Sequence, residues 1–428
     1  MAASQYLHAV HPEALSDKPF SQVPKNARVK QQLCEVRVPP HAIAELKRLI
    51  QTARLGPETF ENSQPEPNAK YGLTSSWMKE AVLAWTDVSV FNWARVQDHI
   101  NNAPHFTCEV EYEGHSYTVH YVALFSNRSD AVPLVNIHGW PGCFLEFLPL
   151  MNLLQQKYTP DTLPCHFIVP SMPGYTFSSG PSTDRDFSTL DVSRIFQILL
   201  RQLGFDDTQY VVAGGDVGSR VARALAVEDP ACSAIHLNFC FDLNMHGFPR
   251  ENLNAQETGR LETLDEFMKT GVGYGQMHAT RPATIGFVLS SNPVALLAWI
   301  GEKFATWTDK TPPLATILTF ITVYWLTDTF PRSIYPYRAD FASSDEVPSH
   351  GNPRWRIPDG KPFGFSDFPK EILPVPRGWV ERTGRVTFWR EHQEGGHFAA
   401  LEVPEMMLED LEKFVGHVRA EGKIRAER

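Results

Sequence analysis

Several features that would place a protein in a special class are missing from this sequence. Only six of its 428 residues are cysteine, and none of them forms a CxxC pair, which argues against a zinc ribbon or a disulfide framework. We therefore expect reduced thiols and a cytoplasmic location. The longest apolar run, residues 317–326, has only about half of the roughly 20 residues that a membrane-spanning helix requires. The amino-terminal residues lack an apolar stretch of secretory length, so we expect neither a membrane span nor a cleaved signal.

Positive charge is also scarce. The formal net charge is −10 at pH 7, and no run of Lys and Arg is long enough to follow a phosphate backbone, so we expect no nucleic acid partner. No internal repeat is present, which excludes a solenoid. The 43% of hydrophobic residues is typical of a globular protein with a sizeable core. The remaining classes are an enzyme and a binding protein.

The first half of the chain divides into two regions. Before residue 105, Pro-rich loops alternate with helical patterns at residues 42–55 and 77–101, and no strand-like alternation is seen. A hairpin pattern follows at residues 106–123. Short apolar segments separated by helical stretches such as residues 190–203 then predict βαβ units and a mostly parallel sheet. The predicted strands are residues 132–137, 167–170, 210–213 and 234–239.

The second half predicts a helical insertion and a return to the sheet. After residue 245 strand patterns vanish and helix-length apolar segments appear, at residues 293–304 and 316–325. A Pro- and Gly-rich loop at 347–365 precedes a final strand at 385–389 and a closing helix at 406–419. The predicted regions are an N-terminal extension, 1–104, a first part of an α/β core, 105–244, a helical lid, 245–345, and a second part of the core, 346–428.

The motif Gly214-Gly215-Asp216-Val217-Gly218 lies between a predicted strand and a predicted helix. Small residues two positions before and after a central nucleophile are what a sharp strand-to-helix turn needs, because side chains do not fit there. A carboxylate at the centre forms an ester that water can cleave, so Asp216 suits displacement at a saturated carbon rather than acyl transfer. By themselves the five residues are equally compatible with a Gly-rich turn and a capping Asp.

A second motif, His138-Gly139-Trp140-Pro141-Gly142, ends the predicted strand at residues 132–137. In α/β-hydrolases the loop after this strand supplies one backbone N–H of an oxyanion hole, and the residue after the nucleophile supplies the other. These would be the N–H groups of Trp140 and Val217. A tight turn with a packed Trp and a core His is the alternative.

A third motif places a histidine late in the chain. His397 lies between the last predicted strand and the last predicted helix, as the order nucleophile, acid, histidine requires. The alternative is a metal site that it would form with neighbouring residues, but no His–x₃–His spacing is present and we expect no metal. The other residues of that alternative are Glu391, His392 and Glu394.

The acid that would orient His397 has three candidates. Glu371 is preferred, with Asp242 as the competitor and Asp367 as the third. Each of the three could instead be a solvated surface carboxylate, the commoner position for Asp and Glu.

Together these residues resemble the epoxide hydrolases of the microsomal type, especially the soluble fungal enzymes of that group. The resemblance covers most of the chain and includes residues 170–175 and the lid stretch 289–304. It implies an α/β-hydrolase fold with a mostly parallel sheet, a helical lid and an N-terminal extension that wraps the core. It also implies an enzyme that converts epoxides to vicinal diols, with an epoxide and water as its partners and no cofactor.

The resemblance implies a role for each site residue. Asp216 would form an alkyl-enzyme ester, and His397, oriented by Glu371, would activate the water that cleaves it. Two lid tyrosines that hold the epoxide oxygen match Tyr274 and Tyr337, with Tyr335 as the near alternative. The chemistry asks for such donors independently, since an epoxide that opens at neutral pH needs its departing alkoxide hydrogen-bonded or protonated.

Two alternatives stay open. Haloalkane and haloacetate dehalogenases share the nucleophile turn and the ester, but they lack the long N-terminal extension and the paired tyrosines. A hydrolase-fold protein without activity that binds a small apolar ligand or a partner is the other alternative. Detoxification is the expected role, and a homodimer is the assembly considered.

Overall fold

The computed structural model describes residues 3–10, 18–65, 70–341 and 346–424, so the predicted boundary at residue 345 lies outside the described residues. Within these described ranges, ten strands form one sheet. They are Leu7–Ala9 (β1), Gln32–Val36 (β2), His105–Tyr112 (β3), His115–Leu124 (β4), Val132–Ile137 (β5), Cys165–Pro170 (β6), Tyr210–Gly214 (β7), Cys232–Leu237 (β8), Phe363–Asp367 (β9) and Val386–Glu391 (β10).

Helices precede, cover and interrupt this sheet. Those before β8 are Pro40–Thr52 (α1), Ser75–Thr86 (α2), Trp93–Ile100 (α3), Leu148–Lys157 (α4), Thr189–Gln202 (α5), Phe205–Thr208 (α6) and Asp216–Glu228 (α7). The helices between β8 and β9 are Ala255–Thr270 (α8), Gly273–Thr280 (α9), Pro282–Ser290 (α10), Pro293–Thr306 (α11), Leu314–Leu326 (α12), Thr329–Ser333 (α13) and Tyr335–Phe341 (α14). The last three are Arg377–Arg382 (α15), Ala399–Glu402 (α16) and Pro404–Ala420 (α17).

The sheet has an antiparallel and a parallel part. Its strand order is β1-β2-β3-β4-β6-β5-β7-β8-β9-β10. The pairs from β1 to β6 are antiparallel, and those from β6 to β10 are parallel. Every residue of β5, β6, β7 and β8 is buried, as the continuous apolar runs in a sheet covered on both faces require. The carboxyl ends of these parallel strands carry the predicted motifs.

Three predictions about the elements are wrong. The N-terminal region contains two strands, β1 and β2, and the Pro- and Gly-rich loop ends in a third, β9. All three are short, and their hydrogen bonds come from strands that are remote in sequence, so local alternation does not reveal them. The single helix predicted at residues 77–101 is two helices, because Asp87 accepts from Ser89 N in the break and Asn92 caps α3.

The lid region contains helices and no strand among its described residues. Helices α9 and α14 pack against each other, and so do α11 and α12. The N-terminal region contacts the lid through α2, where the Trp85 indole N–H donates to Thr322 Oγ1 at 2.9 Å in a buried position. The division of the chain into an extension, a core and a lid stays a prediction.

The part of the chain that the structure describes contains apolar helices, among them α11 and α12. No single helix there has the length and apolar character needed to cross a bilayer. Helices α10 and α11 are long and apolar enough only when they are taken together, and the chain bends by 117° between them.

Candidate active site

Asp216 lies at the sharp turn between β7 and α7. Its φ is 44°, in the left-handed region that is strained for a residue with a Cβ, and such strain is typical of functional positions. A Cβ on Gly214 would lie 2.5 Å from the Gly218 carbonyl oxygen, and one on Gly218 would lie 2.3 Å from that of Ile137. The two glycines therefore let the helix begin directly against the strands. The turn carries the Asp216 carboxylate beyond the sheet edge.

Two backbone groups and one imidazole contact this carboxylate. Trp140 N–H donates to Asp216 Oδ1 at 2.8 Å, and Val217 N–H also interacts with the carboxylate. His397 Nε2 lies 3.4 Å from Asp216 Oδ2. The loop after β5, the start of α7 and the loop after β10 therefore meet at one side chain.

His397 connects Asp216 to a second carboxylate. Its Nδ1 is 2.8 Å from Glu371 Oε1, which also accepts from the backbone N–H of Ile372 at 2.7 Å. His397 is buried with Glu371 on one side and Asp216 on the other. Such an arrangement fixes the ring and leaves Nε2 directed at the nucleophile position.

Charge and burial have opposite effects on the pKa of His397 and on that of Asp216. Burial alone would lower the pKa of His397, but the negative charges of Glu371 and Asp216 and the hydrogen bonds to them raise it well above its ordinary value. Burial would likewise raise the pKa of Asp216, yet His397 and the two backbone N–H groups hold it below its ordinary value. The two neighbouring acidic side chains therefore favour the protonated form of His397.

The three candidate acids occupy different places. Glu371 is the one that hydrogen-bonds His397. Asp242 accepts from Ser349 Oγ at 2.8 Å and from Gly351 N–H at 3.0 Å. Asp367 is paired with Arg260.

The residues of the alternative metal site are dispersed. His392 Nε2 is 2.6 Å from Asp410 Oδ2, and Glu394 pairs with Lys310. Gln256 donates to Glu391. Within the described ranges, no group of three or more His, Cys, Asp or Glu side chains could hold a metal ion.

Tyr274 on α9 and Tyr337 on α14 line the same cavity as Asp216. Their ring centroids are 5.7 Å apart at an interplanar angle of 79°. Burial raises the pKa of both hydroxyls, and the charge of Asp216 raises it further. The two hydroxyls are close enough for each to shift the pKa of the other. In the part of the chain that is described, the buried Tyr337 hydroxyl has no hydrogen-bond partner of normal geometry.

The two phenols are held by other rings. Trp140 stacks on Tyr274 at 5.4 Å and meets Tyr337 edge-on at 5.8 Å, so one residue supplies a backbone N–H to Asp216 and an aromatic support to both tyrosines. His278 lies 4.8 Å from Tyr337 and accepts from Trp299 Nε1 at 3.0 Å. Burial lowers the pKa of His278 to about 3, so this ring is neutral.

Tyr335, the near alternative, lies outside this arrangement. Its hydroxyl donates to the Pro173 carbonyl oxygen at 3.1 Å, and its ring packs edge-on against Phe187. It does not line the cavity beside Asp216.

The cavity has a volume of about 110 Å³, and its wall comes largely from α7, α8, α9, α14 and the segment that follows β8. Asp216 lies on its wall together with Tyr274 and Tyr337. Arg220, Asp242 and Ser349 also line it, but most of the remaining wall is apolar, which suits a ligand with a largely hydrocarbon body. The apolar lining residues are Val217, Phe239, Phe241, Leu243, Phe267, Met268, Val272, Ala339, Val347, Pro348 and Leu373.

A smaller cavity of about 30 Å³ also reaches Asp216. It is lined by His397 and by Glu146, a buried residue of the 3₁₀ turn Phe144–Phe147 that the sequence analysis missed. Glu146 follows Gly142 by four positions and is the one acid in the apolar run 143–148. An acid that stands alone in an apolar run was the signal in the sequence that could have pointed to it.

The fold and these contacts define an α/β-hydrolase with a carboxylate where the common turn has Ser. Two family models match the chain, "Epoxide hydrolase N terminus" over residues 31–147 and "alpha/beta hydrolase fold" over residues 132–269. Epoxide hydrolase 1 of Sus scrofa is 31% identical over 414 residues, which cover 89% of this chain and 88% of the relative.

Solved structures agree with these matches. The epoxide hydrolase of Aspergillus niger is 44% identical, with a TM-score of 0.86 over 94% of this chain and 100% of that chain. The juvenile hormone epoxide hydrolase of the silkworm Bombyx mori shares the fold at 23% identity, with a TM-score of 0.78 over 99% of this chain and 100% of that chain. The chain belongs to the epoxide hydrolase family of α/β-hydrolases, as the sequence motifs predict.

Proposed function

We propose that this epoxide hydrolase forms its diols through an alkyl-enzyme ester on Asp216. One observation carries the proposal: the carboxylate of Asp216, bonded to Trp140 N–H, lies on the wall of an apolar cavity that also exposes Tyr274 and Tyr337. A nucleophile and two O–H donors therefore face the same space. An epoxide needs both, one at a ring carbon and the other at the ring oxygen.

The first step is ring opening. A carboxylate oxygen of Asp216 attacks a ring carbon, the bond from that carbon to the epoxide oxygen breaks, and the oxygen takes the proton of a lid phenol. The ester and a neighbouring hydroxyl are the products. The lowered pKa of Asp216 supports this role, because the attacking group remains ionised. The phenolate regains its proton from the His397 imidazolium through solvent.

The second step is hydrolysis. Once Asp216 is an ester its negative charge is gone, and with it part of what raises the pKa of His397, so the neutral imidazole can act as a base. His397 takes a proton from water, and the hydroxide attacks Cγ of Asp216. The N–H groups of Trp140 and Val217 are donors for the oxyanion that develops. Collapse releases the diol and restores the carboxylate.

The trapping variant His397→Gln tests this scheme. Gln cannot act as the base, so the first step should proceed and the ester should persist. Intact-protein mass spectrometry after exposure to excess epoxide should show one added substrate mass, located on a peptide that contains Asp216. The double variant Asp216→Ala/His397→Gln is the control and should remain unmodified. A His397→Gln protein that stays at its parent mass would contradict covalent catalysis.

The dehalogenase alternative is disfavoured by the two lid phenols. A halide leaves as a stable ion and needs no proton, whereas the alkoxide from an epoxide stays attached to the product and must be protonated. We expect no halide release from haloalkanes by the parent enzyme. Ion chromatography of the reaction mixture measures it, and brisk release would favour the alternative.

We further infer a cytoplasmic enzyme that detoxifies apolar epoxides. The support for the compartment is that all six cysteines are free and buried, as proteins of reducing compartments have them. The apolar wall of the larger cavity supports hydrocarbon epoxides as substrates. Cell fractionation and turnover of a panel of aryl, alkyl and terpenoid epoxides test the two inferences. A homodimer stays a prediction.

A further inference from the structure

The smaller cavity is separate from the space that receives the epoxide. Its lining shares only Asp216 with that of the larger cavity. Its volume of about 30 Å³ exceeds the roughly 10–15 Å³ that one water occupies by this measure. Its polar lining comes from Glu146, Asp216, Asn238, His138 and His397, so it can offer a water several hydrogen bonds. The cavity therefore has the size and the polar groups to hold a water molecule.

Glu146 is held firmly on the wall of this cavity. A Cβ on Gly142 would lie 1.2 Å from Glu146 Oε1, so the carboxyl group lies directly against the Gly142 backbone. The Cys143 backbone N–H contributes a hydrogen bond to it. Gly142 is itself fixed, because its carbonyl oxygen accepts from Tyr324 Oη at 2.9 Å. The last glycine of the predicted loop motif thus makes room for a carboxyl group.

The surroundings of Glu146 do not explain it as a structural residue. The described residues provide it with no salt bridge, and burial raises its pKa to about 8. The positive charge of His397 opposes that rise, while the negative charge of Asp216 adds to it. A buried carboxyl group without a cation is costly, and such groups cluster at functional sites. Glu146 is thus electrostatically coupled to both residues that the second step uses.

We propose that Glu146 holds the water that hydrolyses the ester. This inference rests on the proposed function, since it assigns a place to the water of the second step. A carboxyl oxygen of Glu146 accepts one O–H of the water and Nε2 of His397 accepts the other, which directs an oxygen lone pair at Cγ of Asp216. The proton passes to His397, and Glu146 neither gains nor loses one over the cycle. Epoxide and water then approach Asp216 from different cavities.

The test separates the two steps by rapid mixing with excess epoxide, followed by acid quench and intact-protein mass spectrometry. Glu146→Ala should leave the rate of ester formation within about twofold of the parent. Hydrolysis of the ester should slow by on the order of 10²-fold, the loss of rate expected when a reactant is misplaced, so the ester should accumulate. Glu146→Gln keeps an acceptor oxygen and should recover most of the rate. Gly142→Ala displaces the carboxyl group without removing it and should resemble Glu146→Ala.

Glu402 provides a matched control. Like Glu146, it is a carboxyl group that interacts with His397, and burial raises its pKa to about 7. Unlike Glu146, it does not line the smaller cavity, and its oxygens accept from Asp309 N–H and Phe398 N–H. Glu402→Gln should leave the ratio of the two rates unchanged. His397→Gln is run in parallel as the trapping reference.

The outcomes separate this inference from the scheme on which it rests. If His397→Gln forms the adduct and Glu146→Ala hydrolyses its ester at the parent rate, the water is held elsewhere and the inference is wrong. Equal slowing of both steps by Glu146→Ala, or the same change of ratio in Glu402→Gln, would also overturn it, because general disturbance would then explain the effect. No adduct in His397→Gln would refute the ester scheme itself.

Discussion

Two cavities meet at Asp216, and they differ in size, lining and chemistry. The larger, about 110 Å³, has a mostly apolar wall with two phenols, whereas the smaller, about 30 Å³, contains His397 and Glu146. The first has room for part of an organic substrate, whereas the second has room for little more than water. In the proposed scheme each reactant meets the same carboxyl group from its own side, so the ester forms from the larger cavity and is cleaved from the smaller one.

In the proposed scheme the groups that face the two cavities need different protonation states. On the side of the larger cavity, the phenols must keep their protons to act as donors, and burial raises their pKa. On the other side, His397 must lose a proton before it can accept one from water, and loss of the Asp216 charge promotes this. Ester formation therefore prepares the second cavity for its reaction.

Removal of the Asp216 carboxylate, which both cavities share, should have the largest effect. Asp216→Ala deletes the nucleophile of the first step and the electrophile of the second, so diol formation should fall by on the order of 10⁴-fold or more. The parent and the variant are compared by product chromatography, with circular dichroism and thermal unfolding to check that the variant folds. Comparable turnover in a folded variant would show that water attacks the epoxide directly.

Removal of the phenols should affect only the larger cavity. Tyr274→Phe and Tyr337→Phe should each slow ester formation by on the order of 10²-fold, as loss of one oxyanion donor does, and the double variant should be nearly inactive. The rate of hydrolysis of ester that has already formed should stay at the parent value. Tyr335→Phe is the matched control, since its hydroxyl bonds Pro173 O outside the cavity. Parent-level ester formation in the double variant would refute the donor role.

The two steps should also respond differently to pH. Ester formation needs an ionised Asp216, whose pKa is lowered, and protonated phenols, whose pKa is raised, so both shifts widen the range in which this step is fast. Its rate should be flat from mildly acidic to alkaline pH. Hydrolysis needs neutral His397 and should slow as the pH falls and the imidazole becomes protonated. Single-turnover kinetics across the pH range measure both rates, and parallel profiles would contradict the separation.

Local spacing made much of this site predictable. The glycines around Asp216, the Trp140 loop and the late His397 lie in short motifs whose geometry is determined by neighbouring residues, so their position at the ends of strands follows from the pattern. The parallel strands were recognisable for the same reason, as continuous apolar runs. By contrast, β2 and β9 are strands because of their partners, and no periodicity within five residues could show it.

Long-range contacts account for what the sequence left open. Nothing in the spacing of Glu371, Asp242 and Asp367 shows which one reaches His397, because that distance depends on how β9 and the loops after it pack. Glu146 was overlooked because an acid in an apolar run has no typical motif. Its place beside the candidate site appears only in the structure, where it packs against Gly142 and lines the same cavity as His397.

The smallest effect is expected from the apolar wall of the larger cavity, and it tests whether the two cavities are independent. Met268 on α8 lines that wall, and Met268→Ala should enlarge the space and favour bulkier epoxides. The ratio of kcat/KM for a bulky over a small epoxide should rise by roughly tenfold, the scale of one or two methylene groups in an apolar pocket. Hydrolysis of the ester should not change, because Met268 is absent from the smaller cavity. Met277→Ala, at a partly exposed methionine of α9 that lines neither cavity, is the control and should leave the ratio unaltered. A slower hydrolysis in Met268→Ala would show that the wall on the epoxide side also governs the water, and the two cavities would then have to be treated as one site.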